Sequence, residues 1–378
     1  MYRNIFSNIL HIWLLLYIYR KQKCCVKWNQ VKSEYFCVQN GVRQGAIVSP
    51  TLFCIYLDTL LINLRNSGFG CYISNIFMGA FGYADDVILL APTRHSLQIL
   101  LNICQEFADT HNMLFSTDPN PTKSKTKCLY FTTKQTRISP LPVILNDNPL
   151  PWVEVANHLG NELSVTMFNA LCCLETKHDL LVKRSIFFSR VHSLKQEFGF
   201  ASPNVICHLL RIYGTSFYGS VLWNLNSEEH NKLLRSWNVA VKLIWDLPYN
   251  AHTRFIESIT DCPHLQSVLH SRYVGFAKSL SSSNKKHIQV LYSLCKDNLS
   301  TLTGYNLKNL MLKYDCVNHS ILFEKQAEIS NTRVNELPQE EFWKVPLLQD
   351  LIGIRNEDLE CDLTSEEIED LIKFVTAA

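Results

Sequence analysis

Two apolar runs rich in strand-forming residues, 76–83 (IFMGAFGY) and 87–91 (VILLA), are separated only by Ala84, Asp85 and Asp86. So short a spacer permits an antiparallel hairpin and forbids a parallel crossover, which needs a dozen or more residues. Any fold of this chain must therefore accommodate a β-hairpin with two adjacent carboxylates at its tip. Helical signals flank it. Ser49-Pro50 predicts a helix start, with Ser49 capping the free amides and Pro50 at the first helical position. That helix buries Leu52, Phe53, Tyr56, Leu57, Leu60 and Leu61 and stops at Ser67-Gly68. A second helix follows Pro92-Thr93, with Leu97, Leu100, Leu101, Cys104 and Phe107 at helical spacing.

The rest of the chain divides by pattern. Residues 26–38 predict two short strands, Asn40-Gly41 a turn, and 128–132 another strand. Pro140, Pro142, Pro149 and Pro151 mark the end of a first domain near residue 150. Beyond it the pattern is helical: Ser202-Pro203 to Gly214, Ser227 to Pro248, 265–280, and a capping box at 364–367. The expectation is an α+β domain over 1–150, a mainly α-helical region over 151–300 and an acidic helical segment over 301–378.

Composition matters in three places. With 47% apolar and 19% charged residues the chain is not disordered. The formal net charge of +2 hides an asymmetry: residues 1–323 carry 31 basic and 20 acidic side chains, residues 324–378 carry 5 and 14. A basic body suits a polyanionic partner, and two solvated surfaces of opposite sign are the alternative. The 14 cysteines form no C-x-x-C pair and no zinc spacing, which predicts reduced thiols in an intracellular compartment. The apolar run 9–19 is too short to span a bilayer and carries no cleavage site, so a core helix is expected and no membrane contact.

Adjacent Asp85 and Asp86 repel one another unless a cation neutralises them, and magnesium prefers such hard oxygen ligands. A plain Asp-Asp turn is the alternative. Gly41-Val42-Arg43-Gln44-Gly45 supplies a backbone open to close approach, a guanidinium fork suited to phosphate and an amide for a sugar or base edge. Lys123, Lys125 and Lys127 form a basic loop able to neutralise phosphates or protonate a leaving pyrophosphate, or simply a solvated one.

Three of these segments, in this order, resemble the reverse transcriptases of non-LTR (LINE-type) retrotransposons: Asn40 to Pro50, Phe81-Gly82-Tyr83-Ala84-Asp85-Asp86-Val87, and Asn120 to Lys125. His158-Leu159-Gly160 is similar to that family's Leu-Gly element. Ser216-Phe217-Tyr218-Gly219-Ser220, Leu222-Trp223 and Ser236-Trp237-Asn238 resemble the region after the palm. The resemblance implies part of a right-hand polymerase palm, an antiparallel sheet with helices, followed by a helical thumb. It implies magnesium or manganese on Asp85 and Asp86. Template and nucleotide contacts fall on Arg43, Gln44, Gly45, Tyr83, Ala84 and Lys123, with an RNA template and a DNA primer as partners.

One requirement of that chemistry is unmet. Two-metal phosphoryl transfer takes carboxylates from more than one strand, and residues 1–57 hold a single acid, Glu34, outside any matching motif. Asp58 falls within the helix after Pro50. The sequence therefore predicts an N-terminally truncated member that is inactive alone. The alternatives are a nucleic-acid-binding remnant, with Lys177, Lys183, Arg184, Arg190, Lys195 and Arg211 along a groove, and a relic without function.

Overall fold

The computed structural model describes residues 9–38, 41–43, 45–118, 120, 123–131, 140–165, 177–249, 251, 253, 256–257 and 264–331. Contacts divide the chain into two compact units, Met1–Cys128 with Ser139–Trp152, and Leu129–Ile138 with Val153–Ala378. The capping box at 364–367 lies outside the described residues.

The first unit opens with helix α1 (Ile9–Arg20). The helix forms as expected, yet it is not a core element: Trp13, Leu14 and Tyr17 are 65%, 56% and 60% exposed. A helix that is apolar all round has no side it can leave in water without cost. The two strands expected over 26–38 are the arms of one interrupted hairpin, in which β1 (Lys23–Cys24) pairs with β4 (Phe36–Cys37), and β2 (Lys27–Trp28) with β3 (Val31–Lys32). Between the rungs the Ser33 hydroxyl accepts the Val26 amide at 2.9 Å, replacing a ladder bond.

Helix α2 (Ser49–Asn66) begins one residue before the expected start. Val48 occupies the cap position in helical conformation, and no side chain caps the helix. Ser49 is buried inside the first turn, its hydroxyl hydrogen-bonded to that of Tyr19 at 3.0 Å. A tertiary partner has taken the group that the local pattern assigns to the cap. Of the six side chains expected inside, Leu57 and Leu60 are buried, Leu52, Phe53 and Leu61 are half-buried and Tyr56 is 39% exposed; Leu64, one turn on, is buried as well. The small hairpin of β5 (Tyr72–Ile73) and β6 (Ile76–Phe77) precedes the longer one of β7 (Ala80–Tyr83) and β8 (Asp86–Leu89). Cys71 N–H donates to Leu90 O and Leu90 N–H to Gly79 O, which ties the two hairpins together.

Helix α3 (Arg94–Thr110) is capped by Thr93, whose hydroxyl accepts from Ser96 N–H at 3.1 Å. Leu100, Cys104 and Phe107 meet Leu57, Leu60 and Leu64 of α2 in one cluster, against which Ala80, Val87 and Leu89 pack. Each fully buried leucine contributes about 1.5–3 kcal/mol, so this cluster holds the hairpin to the two helices. The unit closes with β9 (Cys128–Leu129), β10 (Ile144–Leu145), β11 (Asn148–Pro149) and β12 (Trp152–Val153). The α+β character expected of this region is what the structure shows, as short antiparallel pairs among helices.

The second unit begins with a hairpin, β13 (Val155–His158) and β14 (Asn161–Ser164), and is helical thereafter. Its helices are α4 (Lys177–Phe198), α5 (Pro203–Leu209), α6 (Glu228–Ile244), α7 (Leu265–Ser281), α8 (Lys286–Cys295), α9 (Leu302–Lys313), α10 (His319–Glu324) and α11 (Gln326–Asn331). Helix α5 runs on into a π-helical turn, Leu210–Gly214. Ser227 caps α6 by accepting His230 N–H at 3.2 Å. Phe187, Leu210, Trp223, Leu233, Trp237 and Val241 fill one core. Tyr273, Val274, Leu307, Leu310 and Leu322 fill a second.

Candidate active site

The two aspartates differ in backbone position. In the β7–β8 register Tyr83 faces Asp86, Gly82 faces Val87, Phe81 faces Ile88 and Ala80 faces Leu89. Two residues, Ala84 and Asp85, make the turn. Alternation puts Ala80, Gly82, Val87 and Leu89 on one side of the ribbon, and Tyr83 and Asp86 on the other. The first side packs on the helices. A Cβ at Gly82 would stand 3.3 Å from Leu61 Cδ1 and 3.4 Å from Leu57 Cδ2, so glycine is what lets α2 approach this closely. The second side carries Asp86 beside Tyr83, and all four residues from Tyr83 to Asp86 are exposed.

Ala84 adopts φ +51°. A positive φ at the first central position matches the right-handed twist of a two-residue hairpin, and glycine is the usual choice there. Alanine in the left-handed region costs roughly 1–2 kcal/mol. Backbone strain held at a tip that presents two carboxylates is the kind found where geometry serves a ligand. The donors are hard oxygens open to water. Magnesium is held by one or two carboxylates with several waters retained, so this pair fits one such ion. Among the described residues, no group of three His, Cys, Asp or Glu side chains is placed to hold a metal. Asp58 is an exposed residue of α2 and adds nothing to the pair.

Arg43 and Gly45 are exposed just before α2, with φ +90° at Gly41 and +80° at Gly45. Gln44 lies outside the described residues. Ala46 N–H donates to Arg43 O at 3.4 Å and Ser49 N–H to Ala46 O at 3.1 Å, so the loop winds into the helix. Lys123 is exposed in a turn whose amides at Lys123 and Ser124 both donate to Asn120 O at 3.0 Å. Ser124, buried beside it, donates to Thr126 O at 2.6 Å and fixes the base of the loop.

In the second unit, two motifs far apart in sequence meet. Leu159 and Gly160 form the β13–β14 turn, with φ +48° and +73°. Gly160 lies against the Tyr218 ring, and the Asn161 side chain covers Gly219, itself at φ +83°. No local signal shows this contact, because 58 residues separate Asn161 from Gly219. Trp223 is fully buried and donates to Asp179 Oδ2 at 2.7 Å.

Of the six cations expected along a groove, four have partners within the second unit. Lys183 lies 3.9 Å from Asp179. Arg184 donates to Ser236 Oγ at 2.8 Å, and Arg190 to Tyr213 O at 2.7 Å and Ser216 Oγ at 2.8 Å. Lys195 holds Asp246 and Leu243 O. Arg184, Arg190 and Lys195 thus hold helices and loops together, whereas Lys183 and Asp179 lie on the same helix. The Lys177 side chain lies outside the described residues, and Arg211 is exposed.

Residues 3–144 match the reverse transcriptase (RNA-dependent DNA polymerase) family. The chain is 37% identical over 86 residues to the retrovirus-related Pol polyprotein from type-2 retrotransposable element R2DM of Drosophila melanogaster, covering 23% of this chain and 8% of that protein. It is 37% identical over 89 residues to the retrovirus-related Pol polyprotein from type-1 retrotransposable element R2 of Nasonia vitripennis, again 23% of this chain and 8% of the relative. The chain thus matches under a tenth of the length of these curated relatives. No helix among the described residues is long and apolar enough to cross a membrane.

Proposed function

From the premise that residues 3–144 are a reverse transcriptase segment of the non-LTR retrotransposon kind, we propose that the Tyr83–Asp86 hairpin is a nucleotidyl-transfer centre acting on a primer paired to an RNA template. The observation that carries this reading is the exposed tip itself, two adjacent carboxylates on a strained turn that α2 and α3 hold from behind. Asp85 and Asp86 bind divalent magnesium or manganese. Such an ion, when bound, supplies positive charge where phosphoryl oxygens become more negative during transfer. Tyr83 and Ala84 border the primer end. Arg43, Gln44 and Gly45 orient template and incoming nucleotide through guanidinium, amide and open backbone. Lys123 neutralises or protonates the departing pyrophosphate. The palm of the polymerase corresponds to 1–150, a helical thumb to 151–300, and 301–378 is an acidic C-terminal segment.

Two carboxylates are fewer than a two-ion site uses, and residues 1–57 add only Glu34. We therefore expect the 378-residue chain alone to bind primer–template weakly and to extend it little or not at all. The test is magnesium-dependent, RNA-templated primer extension by purified protein, beside the Asp85→Asn, Asp86→Asn double variant. Extension by the parent that the double variant abolishes would establish the centre and overturn the inactivity. Magnesium binding by the parent but not the variant, without extension, is the expected result. Equal magnesium binding by both proteins would remove the site.

A further inference from the structure

The second unit has a half-open cavity of about 380 Å³ between the start of α6, the start of α7 and the end of α9. Its polar lining is Asn226, Gln266, His270, Asn309 and Lys313, and among the described residues no carboxylate lines it. Three features make it rich in donors. Lys313 stands exposed at the cavity rim, where partial burial draws its ammonium below the ordinary lysine range. No ion pair neutralises it among the described residues, and Glu228 and Glu229 of the α6 first turn lie 3.3 and 3.0 Å from Lys232 instead. Asn309 Nδ2 is buried with no hydrogen-bond acceptor. An unsatisfied buried amide of this kind costs roughly 1–3 kcal/mol, which a ligand would recover.

The third feature is the entry of α7. This helix has 17 residues and no acid in its first turn. Its cap is His264, which accepts Gln266 N–H on Nδ1 at 3.2 Å and must be neutral there to do so. Gln266 itself lines the cavity. His270, one helical turn on, is fixed by a 2.8 Å bond between Nδ1 and the Tyr314 hydroxyl. Near the carbonyl end of α9, Lys325 donates to Tyr314 O at 3.1 Å, so that carbonyl does not depend on Lys313.

We propose that this cavity binds a small free oxyanion, the phosphate group of a small molecule, held by the Lys313 ammonium and the Asn309 amide, with the Gln266 side chain beside them at the start of α7. A volume of 380 Å³ suits a compact ligand and is too small for a nucleic-acid strand running through it. The inference stands apart from the reading of the Asp85–Asp86 hairpin, since every residue it uses belongs to the second unit.

The experiment is calorimetric titration of the full chain with inorganic phosphate in chloride buffer at pH 7. It is repeated on Lys313→Met, Asn309→Leu and, as a surface control, Lys232→Met. The expected result is one saturable site that Lys313→Met weakens roughly tenfold or more, the scale of one lost charge-assisted bond. Asn309→Leu should weaken it by a smaller factor, and Lys232→Met should bind like the parent. Far-ultraviolet dichroism checks folding, with Lys313→Gln standing in if Lys313→Met is unfolded. Absence of saturable binding, or unchanged binding in both Lys313 variants, overturns the site. A competition arm uses a 5′-hydroxyl oligonucleotide, whose only phosphates are backbone diesters. Displacement of phosphate by it would overturn a small-molecule ligand, and no displacement would uphold it.

Discussion

Replacing Gly219 by alanine tests the contact between the β13–β14 hairpin and the loop before Trp223. Gly219 has φ +83°, where an added Cβ costs roughly 1–2 kcal/mol. The same Cβ would collide with Asn161 Oδ1. Asn161 would have to swing away, and its 3.3 Å bond from Nδ2 to Leu159 O would be lost, about another 0.5–1.5 kcal/mol. The sum is about 1.5–3.5 kcal/mol. At roughly 2–4 °C per kcal/mol for a unit of this size, the melting temperature should fall by about 3–14 °C. Urea unfolding followed by tryptophan fluorescence is the assay, since Trp223 and Trp237 are buried in this unit. The background variant Asn161→Gly removes the colliding atom, so there Gly219→Ala should cost only the backbone part, a coupling of about 1 kcal/mol. A cost below about 0.5 kcal/mol would refute the packing, and equal costs in both backgrounds would refute the role of Asn161.

Three further outcomes are expected. Asn306, fully buried, accepts Leu225 N–H at 3.2 Å and donates to Trp223 O at 2.9 Å; Asn306→Leu strands both backbone groups and should cost about 2–4 kcal/mol in urea unfolding. Burial lowers His230, His264 and His270 from 6.5 to about 4, 4 and 3. The unfolded chain therefore binds protons that the folded chain refuses: stability is full above pH 6.5, falls by several kcal/mol as the pH drops towards 4, and levels off near 3. Denaturant titrations at stepped pH should show this slope, and His230→Leu should remove one proton's share of it. Finally, Ala84→Gly relieves the positive φ, and after the entropy of a more flexible unfolded chain should leave stability unchanged or raised by up to about 1 kcal/mol. If the strain positions the carboxylates, magnesium affinity measured by calorimetry should fall with it.

The sequence determined the local elements and the chemical inventory. A three-residue spacer between two apolar runs leaves only a hairpin, and the observed pairing of Tyr83 with Asp86 is that hairpin with its acids at the tip. Thr93, Ser227 and the leucines of α2 and α3 were legible for the same reason, because caps and helical periodicity act within a few residues. What tertiary structure decided involves partners distant in the chain. Ser49 has every mark of a cap and bonds to Tyr19, 30 residues away. The basic residues of α4 read as a free stripe, yet Arg190 and Lys195 find their acceptors 23 to 51 residues on. Residue 9–19 hydrophobicity gave a helix but not its burial, which depends on what packs against it. The cavity beside Lys313 brings together Asn226, Gln266 and Asn309, three residues that no pattern connects. Backbone conformation and charge type are written locally, whereas desolvation and hydrogen-bond satisfaction depend on which distant groups the fold brings together.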